Sequence, residues 1–373
     1  MATPTFTNTV PHCLFSNFLI LTFSALPNFP TFQPVTFNFQ TLTTIRYQRN
    51  EHLKTVKPDY PGNKVIDGQF ANGDNLYTPS FKTVLKWQLS RNPQKVEKEK
   101  DKYVPTVIPD AQVFTANNDQ LLWLGHASFL LQLNGVSFLL DPVLIDSPFL
   151  RRRHPLPCSI NDIRHIDYLA LSHGHRDHFD EKSIKVIVQN NPQLKALVPL
   201  AMGPLLHQTA PGITYQEAGW YQQYNLPENA GIAVYYLPAA HWHRRGLNDM
   251  NKILWGSFLF QTATQLIYFG GDSAYEQHFA EIKQLFGAPD VAILPIGAYK
   301  PPYMMRLSHM NPPEAAKASN DLGAKTFIPM HYGTFDLSDE PAGEPIRWMQ
   351  ELAAAGQLHA RLQIPAVGER VLL

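Results

Sequence analysis

From residue 121 onward the chain alternates short apolar runs with turn residues, and the spacing of those runs predicts strands interleaved with helices. Runs at 121–124, 128–133 and 136–140 read as three strands of a meander. Asn134-Gly135, between the second and third, suits a two-residue hairpin turn because both residues tolerate positive φ. The meander closes at Asp141-Pro142. Further runs at 168–171, 196–198, 232–237, 266–269, 291–294 and 326–328 predict more strands. Asp180 is placed as the N-cap of a helix whose Ile184, Ile187 and Val188 share a face, and Pro312-Pro313 suits the first turn of another. Strands alternating with helices predict an α/β arrangement with layered sheets. No repeat of fixed period runs through the sequence.

The chain before that point has a different texture. No charged residue precedes Arg46, so residues 1–45 form an uncharged leader rich in Thr, Phe, Asn and Pro, read as disordered or signal-like. Its most apolar stretch, 14–26, is shorter than the ~20 residues a spanning helix needs and lacks basic residues in front of it. No other stretch looks transmembrane. Residues 46–110 read as an N-terminal extension packing on the core, with Val-Glu-Lys-Glu-Lys-Asp at 96–101 as a solvated loop or helix face. The chemistry is expected in residues 111–373.

Composition narrows the classes. Lys+Arg and Asp+Glu number 31 each, so the bulk positive charge that drives general nucleic-acid binding is missing. Hydrophobic residues at 44% and charged at 17% fit a globular enzyme rather than a disordered chain. Cys13 and Cys158 stand far apart, which leaves neither a disulfide framework nor a thiolate zinc knuckle. Any metal must therefore be held by nitrogen and oxygen, and the chain has 15 histidines to supply them.

The sharpest signal is His173-Gly-His175-Arg176-Asp177-His178, directly after the predicted strand 168–171. In an extended loop His173 and His175 point the same way, while Asp177 and His178 enter the next turn. Four ligands in six residues, split between two directions, suit two adjacent ions better than one. Imidazole and carboxylate without thiolate favour Zn²⁺, with Fe or Mn as alternatives. His241, Asp272 and His331 each fall just past the end of a predicted strand, where loops of α/β sheets converge on ligands. Two sets result: His173, His175 and His241 for one ion, Asp177, His178 and His331 for the other, with Asp272 as the bridge.

With these residues in place the chain resembles the metallo-β-lactamase superfamily. The matching features are the His173-x-His175-x-Asp177-His178 motif, the later His241, Asp272 and His331, and the Gly125-His126-Ala127-Ser128 turn. Within it the sequence is similar to the N-acylphosphatidylethanolamine-hydrolysing phospholipase D family, through Trp123-Leu-Gly-His-Ala127, His241-Trp242-His-Arg244-Arg245, Leu254-Trp-Gly-Ser257, Gly271-Asp272-Ser and Pro295-Ile-Gly-Ala-Tyr299. His309-x-x-Pro312-x-Glu314 and His331-x-Gly333-Thr334-Phe335 extend the match, which runs from about Phe70 to Glu340. The resemblance implies an α/β fold of αββα type, two mixed sheets flanked by helices, forming a metallo-β-lactamase-like hydrolase domain over 111–373. It also implies two zinc ions at the seven positions, a phospholipid substrate at a membrane surface, and release of N-acylethanolamine with phosphatidic acid.

On that reading Asp177, Asp272 and His309 are the catalytic residues. Asp272 bridges the ions, Asp177 also orients the hydroxide they share, and His309 protonates the leaving alkoxide. Arg176, His309 and Trp242 are the substrate contacts, although the family places a tyrosine where this chain has Arg176. His126 reads as support for the site, and the run Arg151 to Arg153 beside Phe149 and Leu150 as an attraction for anionic headgroups. Phe286, Trp220, Tyr221, Tyr303, Met304 and Met305 are candidates for an acyl groove or for the core. Partners are the phospholipid surface, no nucleic acid, and room for a homodimer; the location is cytoplasmic and peripheral to a membrane, or periplasmic or exported if the leader acts as a signal. The same scaffold also suits hydrolysis of a carbonyl ester, thioester or lactone, redox chemistry with iron, or lipid or nucleotide binding without catalysis.

Overall fold

The computed structural model describes residues 43–73, 81–109, 118–148 and 150–373. Nearly all of the leader and Phe149 lie outside them. Two mixed sheets face each other. The first has seven strands in the order Thr214–Ala218, Lys195–Pro199, Tyr168–Ala170, Val136–Leu140, Ser128–Leu133, Gln120–Gly125 and Arg370–Leu372. Its first four strands run parallel and the rest antiparallel. The second has eight, in the order Arg361–Leu362, Thr326–Met330, Val291–Pro295, Leu266–Phe269, Ser257–Gln261, Ala233–Leu237, Gln222–Tyr224 and Lys54–Thr55. Here too a parallel half joins an antiparallel one.

The alternation of side chains along each strand explains the layers. Trp123, Phe129, Phe138 and Leu140 of the first sheet point inward to meet Tyr236, Phe258, Phe260 and Phe269 of the second. Edge-to-face pairs cross the gap, Phe138 with Phe260 at 5.0 Å and Phe129 with Phe269 at 6.2 Å. The alternate residues, Leu122, Leu130, Leu139 and Leu169, turn outward onto Ile184 and Ile187 of the helix Glu181–Asn190 and onto Leu206 of Gly203–Thr209. Helices His278–Phe286, Pro312–Leu322 and Glu344–Ala354 cover the far face of the second sheet. The result is helix, sheet, sheet, helix, an α/β sandwich of αββα type.

Local signals explain several element ends. Asn134 and Gly135 adopt φ of 49° and 76°, the turn that their residue types favour. Asp180 caps its helix by accepting from Ser183 N at 2.8 Å, and Asn311 with Glu314 forms a capping box ahead of Pro312. Within residues 111–373, five of the described strands are not among the predicted runs. Thr214–Ala218 (Thr-Tyr-Gln-Glu-Ala) is a polar edge strand, Gln222–Tyr224, Arg361–Leu362 and Arg370–Leu372 are very short, and Ser257–Gln261, apolar and preceded by Gly256, is not among the predicted runs.

The extension is more ordered than its sequence suggests. Ile45–Gln48, Asn63–Ile66 and Gln69–Phe70 form a small antiparallel sheet, and Lys54–Thr55 joins the edge of the eight-stranded one. Helix Phe81–Leu89 packs Trp87 so that its indole donates to Asp339, and Lys95–Lys100 is a helix with no buried residue. Among the described residues no helix is long and apolar enough to cross a membrane.

Candidate metal centre

Both sheets send the C-terminal ends of their central strands to one edge, and the candidate residues meet there. The first sheet supplies Asp141 after Val136–Leu140 and the loop 173–178 after Tyr168–Ala170. The second supplies His241 after Ala233–Leu237, Asp272 after Leu266–Phe269, and His331 directly after Thr326–Met330. Glycine makes the tight approaches possible. At Gly125, φ is 100° and a Cβ would lie 2.3 Å from the Arg152 guanidinium; at Gly271, φ is 57° and it would lie 2.7 Å from the Gly256 carbonyl.

All seven sequence-predicted positions fall into this cluster. His173 Nε2 and His241 Nε2 lie 3.1 and 3.0 Å from His175 Nδ1. Asp177, His178 and His331 gather beside them together with His126. One oxygen of Asp272, Oδ2, sits between the groups, 3.2 Å from both His178 Nε2 and His331 Nε2 and 4.0 and 3.9 Å from His173 Nε2 and His241 Nε2. His309 Nδ1 is 3.8 Å from the same oxygen.

The hydrogen bonds behind the cluster fix which ring nitrogens carry protons. His241 Nδ1 faces the Ser308 carbonyl at 2.8 Å, so it is the donor. Ser172 donates its hydroxyl proton to Asp141 at 2.5 Å, so the hydroxyl accepts from His173 Nδ1 at 2.9 Å. Burial holds His241 down to about 4 and His173 well below its usual value, so both rings are neutral and their Nε2 lone pairs face His175 Nδ1. One N–H on His175 cannot satisfy two lone pairs on different sides. Three converging nitrogens with at most one proton among them suit a cation, and so does the chemistry of the donor set.

The second group makes the same demand through charge. His178 Nδ1 donates to Asp141 at 2.8 Å, leaving Nε2 aimed at Asp272 and Asp177. Burial works against a charge on His178, but the two carboxylates and Asp141 overturn it and hold the ring well above its usual value. At His331 the same carboxylates win against burial and raise the ring to about 9. Asp177 and Asp272 are in turn held well below the carboxylate range, against burial, chiefly by His178. Two buried carboxylates thus call for positive charge, from protons or from metal. The buried atoms His175 Nε2, His178 Nε2, His331 Nε2 and Asp272 Oδ1 have no hydrogen-bond partner among the described residues, and the last three belong to the cluster that a cation would fill.

Asp141 is the residue that sequence reasoning missed. Fully buried, it accepts from Ser172 N at 2.7 Å, from the Ser172 hydroxyl and from His178, and so sets the ring orientation of a candidate ligand. The one available signal was an acid closing an apolar strand. His126, read from the sequence as support, stands close enough to Asp177, His178 and His331 to share a metal group with them; fully buried and kept neutral at about 3, chiefly by burial, it meets Asp177 Oδ2 at 3.2 Å. His309 lines the site, yet burial, reinforced by His241 and His331 and opposed by Asp272, pushes it down to about 3, so a proton held at neutral pH is not its resting condition.

A cavity of about 410 Å³ opens onto the cluster. Asp177, Asp272, His309 and His331 form its floor, and Arg176 and Trp242 border it. The indole of Trp242 packs edge-on against His175 at 4.7 Å. Val84, Trp87, Leu150, Met304, Met305 and Leu337 make apolar walls, so the extension contributes to the site instead of preceding it. Of the six groove candidates Met304 and Met305 line the cavity. Phe286 packs on Tyr235, Trp220 and Tyr221 on the core, and exposed Tyr303 lies beneath the Lys86 ammonium at 4.6 Å.

The arginine run is corrected as well. Arg152 is turned inward, bonded to the Val143 and Leu124 carbonyls, and Arg153 pairs with Asp336 at 3.5 Å. Only Arg151 of the three is exposed.

Comparison with known proteins points to the same fold. The beta-lactamase superfamily domain matches residues 137–332. An N-acyl-phosphatidylethanolamine-hydrolyzing phospholipase D 1 of Caenorhabditis elegans is 32% identical over 292 residues, covering 74% of this chain and 82% of that protein. The mitochondrial N-acyl-phosphatidylethanolamine-hydrolyzing phospholipase D of Saccharomyces cerevisiae is 32% identical, covering 66% of this chain and 54% of that one. Among solved structures, a metallo hydrolase of the archaeon Ignicoccus hospitalis superposes with a TM-score of 0.53 at 22% identity, over 68% of this chain and 97% of that one.

Proposed function

The chain belongs to the metallo-β-lactamase superfamily, and from that premise we propose that it is a zinc-dependent phosphodiesterase of phospholipase D type. Its substrate is N-acylphosphatidylethanolamine at a membrane surface, and its products are N-acylethanolamine and phosphatidic acid. The observation that carries this reading is the cavity: apolar walls suited to acyl carbon lead down to a floor of carboxylates and imidazoles, with one arginine at the border. Relatives named for that reaction support it.

His173, His175 and His241 would hold one ion and Asp177, His178 and His331 the other, with Asp272 between them. Bound there, the ions would supply Lewis acidity toward a phosphoryl oxygen and a hydrolytic nucleophile at neutral pH. The protein's own residues do the rest. Asp272 Oδ2 keeps the two groups in register, and His126 aims Asp177. Exposed Arg176 offers paired N–H donors to phosphate oxygens. Neutral His309, at the floor, donates or accepts one hydrogen bond beside the leaving oxygen and can pass a proton on from solvent. Trp242 and the methionines exclude water from the headgroup.

The mouth fits a lipid surface. Leu85 and Leu89 on helix Phe81–Leu89, with Tyr303 and Leu307 across from them, are 41%, 78%, 46% and 51% exposed. Lys82, Lys86, Arg91 and Arg306 stand beside them, and the segments 81–92 and 299–311 contain no Asp or Glu. Apolar side chains among cations that have no ion pair among the described residues suit anionic headgroups, at ~1 kcal/mol per charge near the surface.

The test is a product assay on N-acylphosphatidylethanolamine vesicles with full-length, metal-analysed protein. Phosphatidic acid is expected. Free fatty acid without phosphatidic acid would assign attack at the acyl carbonyl and overturn the phosphodiesterase reading.

A further inference from the structure

We infer that Arg245 is a positioning residue of the metal centre: its guanidinium clamps the 173–178 loop to the segment that carries His241, and so holds the His173, His175 and His241 nitrogens at coordinating separation. The inference rests on the cluster binding metal as proposed above.

The side chain is only 8% exposed. Nη1 donates to the Gly174 carbonyl at 2.9 Å and to the Phe179 carbonyl at 3.0 Å, so one nitrogen closes both ends of the loop. Nη2 donates to Glu181 Oε1 at 2.8 Å, at the first residue of helix Glu181–Asn190. The Phe179 ring lies 5.0 Å from the guanidinium carbon. The arginine's own backbone is anchored too, because the Asp249 carboxylate accepts from Arg245 N at 3.1 Å and from Gly246 N at 2.9 Å. Four fixed attachments leave the planar fork little freedom, which is why lysine, a point donor on a flexible stem, cannot replace it in full.

The two nitrogen groups depend on this clamp unequally. His178 has Asp141 behind it at 2.8 Å and Asp177 has His126 at 3.2 Å, while His331 directly follows the strand Thr326–Met330 and its ring has no hydrogen bond behind it among the described residues. His175 likewise has no hydrogen bond behind its ring, its Nε2 being buried without a partner among the described residues, and unlike His331 it sits in a loop and not at the end of a strand. The residue before His175 is held twice, by Arg245 through the Gly174 carbonyl and by the His243 ring, which packs so close to Gly174 that a Cβ there would come within 2.5 Å of it. His241 stands four residues before Arg245 on the segment the clamp draws in. His173 and His241 keep the Ser172 hydroxyl and the Ser308 carbonyl behind them, and His178, next to the Phe179 end of the clamp, keeps Asp141, so release of the guanidinium falls hardest on His175 and, through it, on the ion it would share with His173 and His241.

The experiment is titration of metal-free, full-length protein with zinc against a chromophoric chelator that resolves two binding steps. Unaltered protein, Arg245→Ala and Arg245→Lys are compared, with circular dichroism and thermal unfolding of the metal-free forms alongside. Affinity for one of the two ions should fall about 10–100-fold in Arg245→Ala, the range seen when a supporting residue behind a ligand is removed. The other ion should be held nearly as before, with Arg245→Lys between the extremes. Equal weakening of both ions, or unchanged zinc binding with only a lowered unfolding temperature, would overturn the inference and leave Arg245 as ordinary support. If Arg245→Ala does not fold, Glu181→Gln carries the test, with a smaller loss on the same ion expected and unchanged zinc binding overturning the inference. Unaltered protein that binds no zinc would instead defeat the metal reading itself, and this inference with it.

Discussion

The floor and the walls of the cavity are built by different physical means. Every candidate ligand on the floor stands at a strand end or in a loop, and most are fixed from behind by a buried hydrogen bond: Asp141 behind His178, Ser172 behind His173, the Ser308 carbonyl behind His241. The walls are apolar side chains from segments far apart in sequence, Val84 and Trp87 on one side and Met304 and Met305 on the other, which pack without directional bonds. A floor of that kind loses function when one atom is misplaced, whereas a wall tolerates exchange at constant volume. Chemistry is thus concentrated where the backbone is rigid, and selection of substrate where side chains are interchangeable.

Breaking the floor gives the largest effects. Asp272→Asn removes half the charge shared by both nitrogen groups, and turnover should fall by at least ~10³-fold while the far-ultraviolet circular dichroism stays unchanged, since metal ions supply several kcal/mol of transition-state stabilisation and each 1.36 kcal/mol is a factor of ten. Near-normal turnover in that variant would show that the reaction happens elsewhere. Asp141→Asn acts one step further back, by weakening the acceptor of His178 Nδ1, and zinc affinity measured by competition should drop about 10–100-fold. Unchanged affinity would reduce Asp141 to packing.

The charge demand of the floor has a signature without metal. His331 is raised from 6.5 to about 9 in the folded chain, so it contributes stability that is fully present below pH 6.5 and is lost as the pH climbs through 9. Metal-free protein should therefore unfold progressively more easily between those values, and zinc should flatten the profile. Stability that rises across the same interval would contradict the assignment of two ionised carboxylates beside that ring. The walls and mouth should give the smallest effect. Replacing exposed Leu89 and Leu307 by Glu should lower binding to anionic vesicles and activity on them a few-fold, leaving turnover of detergent-dispersed substrate unchanged. Equal losses in both assays would place those residues in folding and not in docking.

The same division governs how much the sequence reveals. His173, His175, Asp177 and His178 are legible because a loop brings neighbours in sequence into one place, and His241, Asp272 and His331 because each follows an apolar run. The inward and outward alternation of the meander also reads directly, as does the Asn134-Gly135 turn. Val84 and Trp87 are not legible, since nothing local tells a helix of the extension that Met304 will face it across more than 200 residues. Arg152 and Arg153 look like a surface patch in sequence because charge does not announce its partner; the Leu124 carbonyl that draws Arg152 inward and the Asp336 that pairs with Arg153 come from remote segments. His309 is readable as a site residue, but its low affinity for a proton is a property of burial that only the packed site creates.

The most direct test of the central claim is transition-metal content of the purified full-length protein, counted per chain. The account predicts two ions per chain, both required for turnover; a folded, active protein that carries one ion or none would contradict it.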